Sequence, residues 1–284
     1  MTNLTSAASS LFYYVNSPVT NMREHPQHES EIVSQVYFSE EVHILEAVTN
    51  WTKIKNVADS YQGWIQNNSI FSKVNSFSSD LSSIVVKVSR CAAHLYGVQD
   101  TVYGPILTLP FDSKLQVLGP LALESNSRWI KMLLIDGREA YIQRGDVTFS
   151  QTLLNKDQMC ALSLQFLGLP YTWGGRSSFG YDCSGFVQML YRQMGVSLPR
   201  DTKDQIHSEG FEAVALSSLL PGDLIFFGLA EDKIRHVGMN VGGDKFIHAT
   251  VAENRPYIRF SHLADPEWNG SGKLIYSAAR RLKA

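Results

Sequence analysis

Residues 169–191 read LPYTWGGRSSFGYDCSGFVQMLY, and this stretch decides how the second half of the chain folds. After Cys183 the apolar residues fall at positions 186, 187, 190, 191 and 194, which is the spacing of one helix face. Cys183 is therefore predicted to begin a helix, where unpaired backbone N–H groups and the helix dipole stabilise an anion. We expect the pKa of its thiol to fall, although a cysteine at a helix start can also serve packing alone.

Residues 233–249 (KIRHVGMNVGGDKFIHA) have the pattern of a β-hairpin, because two apolar segments flank a Gly-Gly-Asp turn. With the turn centred on Gly242, His236 and His248 face each other on one side, and the alternate apolar residues face the core. One imidazole can accept a thiol proton while the second holds the first in the required tautomer. Two aligned histidines and Cys183 favour a cysteine nucleophile over a zinc site, which usually takes a fourth ligand. We expect no metal or cofactor.

Several short motifs lie along residues 153 to 280. In chain order they are Pro170-Tyr-Thr-Trp-Gly-Gly, Asp182-Cys-Ser-Gly-Phe, Leu198-Pro-Arg, Pro221-Gly-Asp-Leu-Ile-Phe-Phe, His236-Val-Gly and Phe246-Ile-His-Ala. Their order and spacing resemble the NlpC/P60 family of peptidoglycan peptidases. The resemblance implies a papain-like domain with Cys183 as nucleophile, His236 as general base and His248 as the residue that orients it. It also implies that the Tyr171 hydroxyl and the Cys183 backbone N–H stabilise the oxyanion.

The first half of the chain consists of short alternating segments rich in β-branched and aromatic residues, which favour small barrels over a βαβ sheet. Residues 41–66 resemble residues 114–143: each has a β-rich segment, a Trp strand and an aromatic-Ile-Gln strand. This repeat resembles bacterial SH3-like (SH3b) domains, in which a Gly-Trp-Ile strand closes a small barrel. Most of these aromatic residues are then barrel core.

The domain boundaries follow from changes in composition. Residues 72–83 are polar and Ser-rich, which is typical of a linker, and a helical apolar spacing begins near residue 153 and stops at Gly168. We predict a first SH3b-like barrel over residues 1–72, a second over 84–150 and an NlpC/P60 cysteine peptidase domain over 153–284. The expected fold class is α+β, a papain-like NlpC/P60 catalytic domain preceded by two small SH3-like β-barrels.

This order of domains, two SH3b-like barrels followed by an NlpC/P60 domain, is similar to that of a narrower group within the family, the γ-D-glutamyl-L-diamino-acid endopeptidases. The resemblance implies that a barrel closes one end of the cleft, so that only a stem peptide with a free N-terminal L-Ala fits. Cleavage would release L-Ala-γ-D-Glu from meso-diaminopimelate or Lys. The positions that match substrate-binding residues of this group are Tyr61, Asp182, Ser184, Trp173 and Thr202.

A free ammonium in a closed pocket needs acidic or polar partners to offset the loss of water. Glu24, Glu29 and Glu31 are candidates for a further acidic contact from the first barrel. Two of the matched residues also have a structural interpretation, since Tyr61 can pack within its barrel and Asp182 can cap the helix at Cys183.

Composition limits the class of protein. The chain has 284 residues, 44% of them hydrophobic, and a formal net charge of -2, which fits a globular protein and argues against general nucleic-acid binding. The N-terminal residues lack the pattern of a signal peptide or a membrane span, and the 3 cysteines form no even framework. We expect a cytoplasmic protein whose partner is a muropeptide, with no nucleic-acid or membrane partner; the oligomeric state stays open.

Three alternatives remain at this point. The protein could be exported and cut intact peptidoglycan, with the SH3b domains as wall anchors. The catalytic domain could instead be inactive and the chain a binding module. A papain-like thiol can also act on other acyl substrates such as lipids, but the sequence shows no amphipathic membrane segment that supports this use.

Overall fold

The computed structural model describes residues 11–73, 84–119 and 127–283. These residues fall into two compact units, one within Met1–Glu31 and Val36–Ser150, the other within Ile32–Gln35 and Gln151–Ala284. Most of the predicted linker, from residue 74 to 83, lies outside the described residues. No helix in the described ranges is long and apolar enough to cross a membrane.

The first unit begins with a seven-stranded sheet. Its strands are β1 (Phe12–Val15), β2 (Val19–Arg23), β3 (Ile32–Tyr37), β4 (Glu41–Val48), β5 (Trp51–Asn56), β6 (Gln62–Gln66) and β7 (Ile70–Lys73). Their order in the sheet is β3-β2-β6-β5-β4-β1-β7. The alternation of side chains along the strands buries Met22, Ile54 and Ile65 completely, which forms the core expected of a small barrel.

A second seven-stranded sheet follows in the same unit. Its strands are β8 (Val85–Val88), β9 (Ala92–Tyr96), β10 (Leu107–Pro110), β11 (Lys114–Val117), β12 (Trp129–Leu133), β13 (Glu139–Gln143) and β14 (Val147–Thr148). The order β10-β9-β13-β12-β11-β8-β14 repeats that of the first sheet position by position. Trp51 pairs with Gln66 in the first sheet and Trp129 pairs with Gln143 in the second. The weak sequence repeat is therefore a structural repeat.

The second unit is α+β. Its strands are β15 (Arg176–Ser177), β16 (Gly180–Tyr181), β17 (Phe211–Val214), β18 (Leu224–Gly228), β19 (Ile234–Gly242), β20 (Lys245–Thr250), β21 (Tyr257–His262) and β22 (Tyr276–Leu282), and its helices are α1 (Lys156–Ser163), α2 (Cys183–Gln193) and α3 (Thr202–Gln205). Six strands form one sheet in the order β17-β22-β18-β19-β20-β21, and α2 packs against β19 and β20. This arrangement confirms the predicted papain-like fold class.

Residues 32–35 begin β3 of the first sheet, but they pack with the residues of the second unit. The side-chain oxygen of Gln35 accepts from the Arg176 backbone N–H at 3.0 Å, and Ser34 Oγ accepts from Arg200 Nε at 3.0 Å. Both arginine side chains are buried, so these hydrogen bonds satisfy donors that water does not reach. The sequence pattern of β3 alone does not reveal these partners, which come from distant parts of the chain.

Local sequence sets where the helices begin. The Asn155 side chain accepts from the Gln158 backbone N–H at 2.9 Å, and the Gln158 side chain accepts from the Asn155 N–H, so a capping box starts α1 at Lys156. Asp182 caps α2 by accepting from the Gly185 N–H at 2.7 Å. Cys183 is therefore the first residue of a helix, as its apolar stripe predicts.

The β19–β20 hairpin differs from its predicted register. Met239 pairs with Ile247 and Gly242 with Lys245, with an irregularity between Asn240 and Gly242. The pairs Met239–Ile247 and Asn240–Phe246 are centred on Gly243 rather than Gly242, so the predicted direct pairing of the two histidines is wrong. They are instead diagonal neighbours on the same side of the hairpin, a spacing that long side chains still bridge.

Candidate active site

Cys183 lies at the N-terminus of α2 with only 8% of its surface exposed. Its Sγ is 3.8 Å from Thr202 Oγ1, at the start of α3. The backbone N–H of Val237, the residue that follows His236 on β19, donates a hydrogen bond to the same sulfur. The helix start and the histidine-bearing strand therefore meet at the thiol.

The pKa of the Cys183 thiol does not fall as the sequence predicts. Burial, followed by the neighbouring Asp182 carboxylate, raises it to about 11, and hydrogen bonds from Thr202 and Val237 offset only part of this rise. The prediction considered the helix dipole, but the loss of water around a buried thiolate costs more than the dipole returns. In the free protein the thiol keeps its proton.

The two histidines form a buried pair. His236 Nε2 and His248 Nδ1 are 2.7 Å apart, and His248 Nε2 is 3.1 Å from Ser261 Oγ. The Trp268 ring stacks on His236 with centroids 4.9 Å apart and stands edge-on to His248. His236 and Val237 point to opposite faces of β19, and both are buried. The sequence pattern predicts burial only for the face with the apolar residues.

Burial also keeps both imidazoles neutral. It lowers the pKa of His236 to about 3, with a smaller contribution from the charge of Arg259. The pKa of His248 is lowered well below its usual value by burial, by His236 and by Arg259. A neutral imidazole is the form that accepts a proton, so His236 can act as a general base toward a neutral thiol.

Tyr171 lies half-buried in the loop before β15, where its backbone N–H donates to the Pro256 carbonyl at 2.8 Å. Burial raises the pKa of its phenol, and a negative charge on Cys183, when its thiol is deprotonated, and that on Asp182 raise it further. The hydroxyl is therefore close enough to Cys183 to sense a charge on the sulfur, and it keeps a proton to donate. These are the properties that an oxyanion donor requires.

A buried ion pair lies directly beside Cys183. Arg200 Nη2 and Nη1 are 2.5 and 3.1 Å from the two Asp182 carboxylate oxygens, and Nη1 also donates to Ser184 Oγ at 2.8 Å. The Ser184 hydroxyl donates to Asp182 Oδ1 at 3.2 Å. Asp182 and Ser184, which were predicted to bind substrate, therefore form a network with Arg200, and Asp182 also caps α2.

The other predicted substrate-binding residues lie in different surroundings. Thr202 contacts the thiol, whereas Trp173 is 63% exposed on the loop before β15. Tyr61 belongs to the first unit, where it is half-buried just before β6 and its backbone carbonyl accepts from the Asn56 N–H. Three candidate acidic residues of that unit are exposed between β2 and β3, namely Glu24, Glu29 and Glu31. Among the described residues, no group of His, Cys, Asp and Glu side chains is arranged to hold a metal ion.

Sequence reasoning missed four residues of this site. Arg200 lay inside a motif that was noticed, Leu198-Pro-Arg, but received no role. Ser261, Arg259 and Trp268 lie outside every motif, and they reach the histidines only because β21 and the segment after it pack beside β20. The one signal available from the sequence was the place of Arg200 within the Leu198-Pro-Arg motif.

Both halves of the chain resemble known proteins. Residues 168–270 match the model of the NlpC/P60 family, and residues 22–70 match that of the bacterial dipeptidyl-peptidase SH3 domain. The chain is 29% identical over 238 residues to a gamma-D-glutamyl-L-lysine dipeptidyl-peptidase of Bacillus cereus, covering 79% of this chain and 69% of that protein. A crystal structure of an NlpC/P60 family protein from Bacillus cereus shares the fold, with a TM-score of 0.80 and 22% identity over 97% of this chain and 100% of the other.

A second relative decides the family. It is the gamma-D-glutamyl-L-lysine dipeptidyl-peptidase of Bacillus subtilis, 30% identical over 233 residues that cover 78% of this chain and 73% of the relative. Similarity of this extent includes both the SH3-containing half and the half that carries Cys183 and the two histidines. On these grounds the chain belongs to the NlpC/P60 family.

Proposed function

We propose that this protein is a cysteine peptidase that hydrolyses the amide bond between γ-D-Glu and a diamino acid in peptidoglycan stem peptides. The observation that carries the proposal is Cys183 at a helix start beside β19, with the neutral His236–His248 pair behind it. The names of the two Bacillus relatives, gamma-D-glutamyl-L-lysine dipeptidyl-peptidases, support the substrate class with Lys as the diamino acid. We propose meso-diaminopimelate as the other diamino acid that this protein accepts.

The chemistry follows from the protonation states. As Cys183 Sγ attacks the γ-glutamyl carbonyl carbon, its proton passes to His236, and the oxyanion accepts hydrogen bonds from the Tyr171 hydroxyl and the Cys183 backbone N–H. The tetrahedral intermediate collapses, the C–N bond breaks, and protonated His236 gives its proton to the leaving amine. Water then attacks the thioester with His236 as base, which releases the γ-D-Glu carboxylate and restores the thiol.

Two finer parts of the proposal concern the substrate and its source. A free N-terminal L-Ala would place an ammonium near Asp182 and Ser184, whose network is buried beside Cys183. Such a substrate is a fragment of the wall rather than intact peptidoglycan. We therefore propose a role in muropeptide recycling within the cytoplasm.

The test is an assay of the purified protein on L-Ala-γ-D-Glu-L-Lys and on the meso-diaminopimelate analogue. We expect release of L-Ala-γ-D-Glu, detected by mass spectrometry, and loss of this product in Cys183→Ala. Blocking the alanine with an N-acetyl group should remove most of the turnover. Cleavage that survives in Cys183→Ala would disprove the mechanism, and equal turnover of the acetylated peptide would disprove the need for a free amine. Faster cleavage of intact sacculi would favour the exported wall hydrolase.

A further inference from the structure

The hydrogen bonds behind the catalytic base continue beyond His248. Ser261, on β21, is 2% exposed, and its Oγ is 3.1 Å from His248 Nε2. Arg259 Nη1, two residues earlier on the same face of β21, donates to that Oγ at 2.7 Å. Glu253 forms an ion pair with Arg259 Nη2 at 3.3 Å. A chain of hydrogen bonds therefore runs from the Arg259 guanidinium through the serine hydroxyl to the two imidazoles, and an ion pair to Glu253 lies at its outer end.

Proton positions along this chain are constrained by the role of His236. Because its Nε2 faces His248, the nitrogen left to accept the thiol proton is Nδ1, so Nε2 must carry the hydrogen. That hydrogen is donated to His248 Nδ1, and His248 must then carry its own hydrogen on Nε2. Ser261 Oγ is the atom that receives it.

We propose that Ser261, anchored by Arg259, is a positioning residue that holds His248 in the tautomer with its proton on Nε2 and so keeps His236 available as a base. A guanidinium only donates, so Arg259 occupies one lone pair of the serine oxygen and leaves the other for the His248 N–H. The inference rests on the proposed peptidase function and extends the Cys183–His236–His248 set by two residues.

The alternative tautomer explains the cost of losing the hydroxyl. Without Ser261 Oγ, the His248 Nε2–H is buried and unpaired, which is costly in an apolar setting. The proton then moves to Nδ1 and is donated to His236 Nε2, which forces the His236 hydrogen onto Nδ1. His236 in that form presents a donor and not a base.

Arg259 adds an electrostatic effect through the same contact. The charged group that acts on both rings of the histidine pair is Arg259 from β21, whose charge is partly balanced by Glu253. Cys183 contacts the same strand through the backbone N–H of Val237. The guanidinium therefore disfavours a second positive charge on either ring. Its removal should make the imidazoles easier to protonate.

The first experiment compares Ser261→Ala, Ser261→Thr and the wild type. Ser261→Ala should lower kcat about 10- to 100-fold with little change in KM, since an unpaired buried donor costs about 1–3 kcal/mol and each 1.4 kcal/mol is tenfold. Ser261→Thr, which keeps the hydroxyl, should recover most of the rate. Ser163→Ala removes another fully buried hydroxyl of the same unit, on α1, and should leave kcat unchanged.

The second experiment needs no substrate, so it separates this inference from the peptidase proposal. Nitrogen-15 NMR of the imidazoles, assigned with His236→Gln and His248→Gln, should show both rings protonated on Nε2 in the wild type and on Nδ1 in Ser261→Ala. Arg259→Met should move the acidic limb of the kcat profile to higher pH. An unchanged tautomer together with unchanged kcat in Ser261→Ala would overturn the inference, whereas a tautomer shift in a protein that cleaves no muropeptide would overturn only the proposed function.

Discussion

Arg200 neutralises the Asp182 carboxylate, which lies directly beside Cys183. Its guanidinium contacts both oxygens of Asp182, and it is only 3% exposed. The pair has two roles: it holds the cap of α2, and it reduces the effect of the Asp182 charge on the thiol. Arg200 lowers the pKa of Cys183, whereas Asp182 raises it, so the two charges act in opposite directions on the nucleophile.

Removing one partner of this pair should be costly. Arg200→Met leaves a buried carboxylate without its counter-ion, and we expect the free energy of unfolding to fall by about 3–5 kcal/mol. The double variant Asp182→Asn/Arg200→Met should recover a large part of the loss, because no unpaired charge remains. Urea unfolding of the two single variants and the double variant measures the coupling. Single-variant losses that simply add would show that the pair does not interact energetically.

The buried histidines make stability depend on pH. Folded His236 has a pKa lowered to about 3 and that of His248 is also lowered, whereas an unfolded histidine titrates near 6.5. Below about pH 6.5 the unfolded chain binds protons that the folded chain does not, so the free energy of unfolding should fall with decreasing pH. The slope reaches about 1.4 kcal/mol per pH unit for each histidine.

Urea unfolding between pH 5 and 7.5 checks this prediction. His248→Asn removes one of the two groups and should make the dependence on pH shallower by about the contribution of one histidine. The matched control is His43→Asn, at an exposed position on β4, which should leave the slope as in the wild type. The same slope in His248→Asn as in the wild type would contradict the assignment of a neutral buried imidazole.

At the scale of elements, the β19–β20 hairpin depends on a residue without a side chain. A Cβ placed on Gly238 would lie 2.7 Å from Phe246 Cδ2 and 3.3 Å from His248 Cβ. The register of the hairpin places the side chains of Phe246 and His248 against Gly238 on the neighbouring strand. Glycine is therefore required there for His248 to approach His236 closely. The effect belongs to the hairpin because it is set by the register of two strands.

Gly238→Ala should therefore displace His248 and weaken both folding and catalysis. We expect a loss of about 1–3 kcal/mol in stability, typical of overpacking, and a lower kcat because the His236–His248 hydrogen bond is disturbed. Thermal unfolding and the tripeptide assay measure the two effects. Gly145→Ala is the control, since a Cβ there meets nothing within 4 Å. Wild-type kcat in Gly238→Ala would show that the spacing of the two strands does not position the base.

The molecule as a whole joins a repeated β unit to a peptidase domain, and local sequence predicted much of this. The two sheets of the first unit share one strand order, which the spacing of Trp, turn and aromatic-Ile-Gln segments anticipated. Within each sheet, three consecutive strands pair as hairpins, β4-β5-β6 in the first and β11-β12-β13 in the second, so period-2 alternation and turn residues carry most of the information there. The assignment of residues 32–35 to the second unit escaped this reasoning, since their partners lie more than a hundred residues away.

The residues of the candidate site also fall into those that local sequence predicted and those that it did not. Cys183, His236 and His248 were identified because helix periodicity and a Gly-Gly turn are local signals. Ser261, Arg259 and Trp268 were not, because they contact the histidines only through the packing of β21 and the following segment beside β20. Nothing in the residues around Ser261 distinguishes it from any other serine on a strand.

The sequence by itself determined that Cys183 begins a helix, that two histidines share one side of a hairpin, and that a β unit occurs twice. Each of these depends on residues close together in the chain. Only the tertiary structure decided the protonation state of the site, the Asp182–Arg200 pair and the chain of hydrogen bonds behind His248. Desolvation is the reason: the loss of water raises the pKa of the thiol and lowers those of the imidazoles, and burial depends on every element that packs around the site.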